Sequence, residues 1–175
     1  MLIDWFDTAP RRVLALVSAI GVGMLAYGLY LQHVVGLEPC PMCIVQRYAL
    51  VLVVLLAALT ATSNNRGVLI AGSVLMLGAA GFGAFVAARQ SWLQWYPPEV
   101  SSCGRDFYGM IETFPLQRVI PMIFRGSGDC ARVDWTFLGG SLANWSFVSF
   151  SVFTLVALVL IVRLARRRAL RPSHA

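Results

Sequence analysis

The chain has 175 residues, 58% of them hydrophobic and only 13% charged, and its mean hydropathy of +0.73 excludes a water-soluble domain of this size. All 14 basic residues are Arg, set against 8 acidic residues and 2 His, for a net charge of +6. Their placement excludes a nucleic-acid partner: they flank long apolar runs on alternating sides, where a phosphate-binding patch would gather on one folded face.

In chain order, Arg11 and Arg12 precede a first apolar segment at 13–31, long enough to cross about 30 Å of hydrocarbon as a helix. It is also long for the h-region of a signal peptide, so it reads as a retained span. Ala15, Ala19 and Gly23 recur every fourth residue in it and would let helix backbones approach closely. A short loop at 32–43 contains Cys40-Pro-Met-Cys43, and a second span follows at 44–62. Arg66 separates it from a third span at 68–88, which carries its own small-residue row of Ala79, Gly83 and Ala87. A long segment at 89–144 holds Cys103 and Cys130. Within it Phe114, Leu116, Val119, Ile120, Met122, Ile123 and Phe124 form an apolar stretch too short to span and interrupted by Pro121, which predicts a short helix on the membrane surface. Gly104, Gly109, Gly126 and Gly128 supply mobility around it. The fourth span is at 145–163, followed by an Arg-rich tail. The predicted fold is thus all-α, an integral membrane four-helix bundle in one domain, with a long outer loop, periplasmic if the resemblance given below holds, carrying a short interfacial helix.

Charge gives the orientation. Arg11, Arg12, Arg66, Arg163, Arg166, Arg167, Arg168 and Arg171, with Asp4 and Asp7, fall on one side and leave it strongly positive, whereas Arg and acidic residues on the other side cancel. The positive-inside rule then places both termini (1–12 and 164–175) in the cytoplasm and segments 32–43 and 89–144 outside. Trp92, Trp95, Tyr96, Trp135 and Trp145 gather on the outer side as an interfacial aromatic belt. The span centres contain no Asp, Glu, Arg or His, which weighs against proton pumps and ion-coupled transporters. A haem bundle is excluded because His33 and His174 lie at opposite ends.

Four outward cysteines admit three chemistries. A Cys₄ zinc site is disfavoured by the 26 residues between Cys103 and Cys130, so no metal is expected. A pair of structural disulfides stapling the loops is the second reading. Redox catalysis is the third, and the surroundings of Cys43 favour it. Pro39 and Pro41 stop any earlier helix and let a new one start near Met42, so Cys43 falls in its first turn. The unpaired amides and positive dipole end there favour a thiolate. Arg47 stands one turn deeper on the same face, where its permanent charge would support that thiolate and its guanidinium could donate to an oxygen on a bound acceptor. Snorkelling is the plain alternative for Arg47. A Cys-x-x-Cys at the mouth of a bundle needs a membrane-soluble electron partner, and a quinone is the natural candidate. Gln46 reads as a polar residue at the interface.

Glu38-Pro-Cys-Pro-Met-Cys-Ile-Val-Gln-Arg-Tyr48, the Cys103 to Cys130 loop ending Gly126-Ser-Gly-Asp-Cys130, and Trp135 followed by Phe137-Leu-Gly139 together resemble the DsbB family of bacterial disulfide bond formation proteins over most of the chain. Gly140 to Asn144 depart from the family pattern, which more often has an apolar residue and a Pro before the Trp. The resemblance implies an inner-membrane enzyme that reoxidises a soluble periplasmic DsbA-like dithiol oxidase and passes the electrons to ubiquinone or menaquinone. It further implies that a thiolate of reduced DsbA attacks Cys103 of a Cys103–Cys130 disulfide, that released Cys130 attacks Cys40, and that Cys43 is displaced as a thiolate beside the quinone with Arg47 stabilising the developing charge. A stabilised Cys43 thiolate is the better leaving group, which independently supports attack at Cys40. Two rivals remain. A quinone reductase resembling the vitamin K epoxide reductase family carries its Cys-x-x-Cys late in the chain, whereas here the motif opens the second span. A disulfide-stapled membrane scaffold would have no catalysis.

Overall fold

The computed structural model describes residues 9–97, 131, 133 and 135–169. Four helices account for most of them: α1 (Pro10–His33), α2 (Pro41–Thr62), α3 (Arg66–Trp95) and α4 (Leu142–Ala169). Each contains a window long and apolar enough to cross a bilayer, and the chain is a multi-pass membrane protein. The helices run up-down-up-down, with α1 packed on α2, α2 on α3 and α3 on α4. Direct contact between α1 and α4 is slight, so the bundle is open along that side.

Local chemistry explains the boundaries. Pro10 and Pro41 occupy the first turns of α1 and α2, where a missing N–H costs nothing. Asn65 caps α3 by accepting from the Gly67 amide at 2.8 Å, after a turn of only three residues that forces α2 and α3 to be antiparallel neighbours. Ser141 caps α4, its hydroxyl accepting from the Asn144 amide at 3.3 Å. Because of that cap α4 begins at Leu142, three residues ahead of the predicted span; separately, α3 continues beyond Ala88 to Trp95. A small antiparallel hairpin precedes α4, pairing Thr136 with Ser141 and Phe137 with Gly140 around Leu138 and Gly139, both at positive φ. Pattern reading had no period to find in strands of two residues.

The core is built from Leu14 and Val17 of α1, Val53 and Ala57 of α2, Met76, Ala80 and Ala87 of α3, and Phe150, Phe153, Ala157 and Leu160 of α4. The outside is apolar as well: Leu59 is 68% exposed, and Phe85 and Leu155 60% each, as expected where the surrounding solvent is lipid. The small-residue rows divide. Gly83 and Ala87 are buried, and the Phe150 ring lies against Gly83 so closely that a β-carbon there would overlap it. Ala15, Ala19 and Gly23 instead face outward, and the close approach in α1 is made by Gly21 against Val54. The buried face of α1 is the one carrying Val13, Leu14, Val17 and Gly21, because that row interlocks with branched side chains of α2.

At the far end from Cys40, two arginines join neighbouring helices. Arg11 donates to the Ala61 carbonyl at 2.7 Å and to Asn64 Oδ1 at 2.5 Å, and Arg66 donates to the Leu164 carbonyl. The Arg11 guanidinium meets the last turn of α2, where carbonyls are unpaired and the dipole end is negative, and Arg66 ties the start of α3 to the last turns of α4, so both residues hold the bundle together.

Candidate active site

A cavity of about 310 Å³ opens where the C-terminal half of α1, the start of α2, the end of α3, the hairpin and the start of α4 converge. Its apolar walls include Met24, Leu25, Leu50 and Phe150, and its polar lining includes Cys40, Cys43, Gln46, Arg47, Gln90 and Gln94. That combination of apolar walls with a few convergent polar groups is typical of small-molecule sites.

Cys40 is the N-cap of α2. Its backbone is extended, Pro41 takes the first helical position, and the Cys40 sulfur accepts the Cys43 amide at 3.3 Å. Helix geometry therefore brings the two sulfurs onto one side, 2.8 Å apart, within reach of a direct S–S bond. Cys40 is buried and Cys43 half-buried. The sequence reading directed the free amides of the first turn at Cys43. The Cys43 amide is in fact given to the Cys40 sulfur, because a cap side chain reaches back to the third helical residue.

Arg47 lines the same cavity one turn deeper. It does not simply snorkel: its guanidinium donates to Gln32 Oε1 and, at 3.0 Å, to the Gly28 carbonyl, bracing α2 against α1. Those bonds use two of the five N–H donors of a guanidinium.

Two residues the sequence reading missed or misplaced complete the polar lining. Gln46 is not an interfacial residue: it is 6% exposed, and its amide nitrogen donates to Gln90 Oε1 at 2.6 Å. Gln90, 4% exposed, directs its own amide nitrogen at both sulfurs, 3.3 Å from Cys40 and 3.2 Å from Cys43. A signal for Gln90 did exist. It continues the buried row Gly83, Ala87 by one more helical step, and a carboxamide on an otherwise apolar buried face must have a partner.

Aromatic rings wall the cavity between α1 and α4. Tyr27 meets Trp135 edge-on at 6.2 Å, Trp135 stacks on Phe137 at 6.1 Å, and Phe137 meets Trp145 at 6.2 Å. The Trp145 indole donates to the Phe137 carbonyl at 3.0 Å and ties the hairpin to α4. Ser141 adds a 2.5 Å bond to Gln94 of α3. Trp135 and Trp145 thus belong to the site, whereas Trp92, Trp95 and Tyr96 project from the end of α3 with more than half their surface exposed. Cys103, Cys130 and the apolar stretch from Phe114 to Phe124 lie outside the described residues.

Comparison with known proteins adds an independent finding. The family model described as "Disulfide bond formation protein DsbB" matches residues 10–160. The chain is 76% identical over 168 residues to a protein of Polaromonas naphthalenivorans named "Disulfide bond formation protein B", covering 96% of this chain and all of that one. A protein of the same name from Albidiferax ferrireducens is 71% identical over 168 residues, covering 96% and 97% of the two chains. Another from Azoarcus is 53% identical over 154 residues, covering 86% and 92%.

Proposed function

Since this chain belongs to the DsbB family of membrane disulfide bond formation proteins, we propose that it is a quinone-dependent oxidoreductase that regenerates a periplasmic DsbA-like dithiol oxidase from the bacterial inner membrane. Family membership removes the vitamin K epoxide reductase-like rival and leaves the passive scaffold without support. In this reading both termini are cytoplasmic and all four cysteines periplasmic. The observation that carries it is one cavity lined by both Cys43 and Arg47.

A quinone head group suits that lining. Arg47 retains donors for a carbonyl oxygen, and Met24, Leu25 and Phe150 offer apolar surface to the ring. Bound ubiquinone or menaquinone would supply an acceptor for the two electrons and two protons given up when Cys40 and Cys43 join. The protein's own steps are thiol exchanges. A thiolate of the reduced partner attacks Cys103 of a Cys103–Cys130 disulfide and releases Cys130. Cys130 attacks Cys40 of a Cys40–Cys43 disulfide and displaces Cys43. The partner's second thiol then frees Cys103, which reclaims Cys130 and leaves Cys40 reduced. One partner disulfide has formed, the Cys103–Cys130 disulfide is restored, and Cys40 and Cys43 hold the two electrons.

The test is purified protein in detergent with a short-tailed quinone and a reduced dithiol oxidase. Quinone-dependent, multiple-turnover oxidation is expected; a preparation that oxidises its partner no faster with quinone than without overturns the reading. Arg47→Ala is expected to raise the apparent quinone KM about tenfold, the scale of one lost hydrogen bond to a charged donor. It should also lower the thermal midpoint, because α1 loses its brace. An unchanged KM would reduce Arg47 to that structural role.

A further inference from the structure

We propose that Gln90, oriented by Gln46, is a positioning residue that raises the reduction potential of the Cys40–Cys43 pair by holding its reduced form. The proposal rests on the redox role of that pair and deepens it.

Three observations converge. Gln90 Nε2 lies within hydrogen-bonding distance of both sulfurs, at 3.3 and 3.2 Å, so one NH₂ group serves two acceptors. Gln46 donates to Gln90 Oε1 at 2.6 Å, which fixes the amide with its nitrogen toward the cysteines. Both carboxamides are more than nine-tenths buried, Gln46 on α2 and Gln90 on α3. Burying two amides is costly unless their groups are paired, and here the pairing runs through the sulfurs.

The chemistry gives the direction. A disulfide sulfur is a weak acceptor, while a thiolate accepts strongly and gains most from an N–H donor in a low-dielectric setting. Gln90 therefore stabilises the reduced pair over the oxidised one. A pair whose reduced form is stabilised is the stronger oxidant, as this relay needs if Cys40–Cys43 is to draw electrons from Cys103 and Cys130. A neutral carboxamide achieves this without placing another charge at membrane depth. Arg47 is differently engaged, since its recorded bonds run to Gln32 and Gly28 of α1.

The experiment is a redox titration of the full-length protein in glutathione buffers without quinone or partner. Thiols are trapped, and the peptide carrying Cys40 and Cys43 is read by mass spectrometry. In each titration two glutathione thiols reduce one disulfide to two cysteine thiols and leave one oxidised glutathione. Gln90→Met keeps the length and removes the donor; it is expected to make the pair about tenfold easier to oxidise, which is about 30 mV toward more reducing potential. Gln46→Met frees the Gln90 amide to rotate and is expected to shift the potential in the same direction by less. In the double variant Gln46→Met should add nothing, because its effect acts through Gln90. A Gln90→Met potential equal to the wild type, or shifted the other way, overturns the proposal, as does full additivity of the two substitutions. Should Gln90→Met fail to fold, an unchanged potential in Gln46→Met is enough to overturn it. A wild-type pair that stays reduced across the whole buffer series would sink the redox role of Cys40 and Cys43 itself, which separates the two failures.

Discussion

Replacing Cys43 by Ala is expected to abolish quinone-dependent turnover, by more than about a thousandfold, while leaving one equivalent of partner oxidised per chain. The reason lies in the order of exchanges. Cys103–Cys130 can still accept electrons once, but without a second sulfur 2.8 Å from Cys40 no disulfide forms at the cavity and the electrons stop in the loop. A stopped-flow or quenched assay separates the two behaviours: a stoichiometric burst with no steady state supports the assignment, and sustained turnover in Cys43→Ala would refute it. The fold should survive, because Cys43 is only half-buried and its amide still reaches the Cys40 sulfur. Cys40→Ala makes an instructive contrast. It also ends turnover, but it removes the N-cap of α2 and should cost about 1 kcal/mol of stability in addition, which Cys40→Ser would largely restore without restoring activity.

A large stability effect is expected from Gly83→Ala. A β-carbon at this position would overlap the Phe150 ring, and Phe150 is 2% exposed with core residues around it. Overpacking of this kind costs about 1–3 kcal/mol, and relief requires α3 and α4 to separate or the ring to rotate toward the cavity it lines. Two readouts follow, a lower thermal midpoint in detergent and a higher apparent quinone KM. Gly78→Ala is the control, since a β-carbon there meets nothing within 4 Å and the added side chain only restricts the unfolded chain. If Gly83→Ala were as stable as Gly78→Ala, the close α3–α4 contact would be wrong. Phe150→Leu in the Gly83→Ala background should recover part of the loss, because the smaller side chain vacates the overlap.

Much of the architecture could be read from local composition. Four apolar runs of membrane length, Arg residues between them and a proline-flanked Cys-x-x-Cys required neither partner contacts nor long-range packing to be recognised. Cys43 in a first helical turn followed from Pro39 and Pro41. Which face of each helix would be buried could not be read the same way. A membrane helix is apolar all round, so periodicity carries little information about its neighbours, and the outward row of Ala15, Ala19 and Gly23 looked as promising as the inward row ending at Gly83 and Ala87.

The amino-acid order by itself therefore settles that this is a four-span membrane protein with a cysteine pair at a helix start. Packing alone decides what surrounds that pair. Gln46 and Gln90 are 44 residues apart, and Arg66 reaches a carbonyl 98 residues away; such contacts exist only once steric fit has chosen the helix faces. Hydrophobicity puts a segment into the bilayer without regard to its rotation about its own axis. Close backbone approach and the need to satisfy every buried polar group then select that rotation, and with it the groups that meet the two sulfurs.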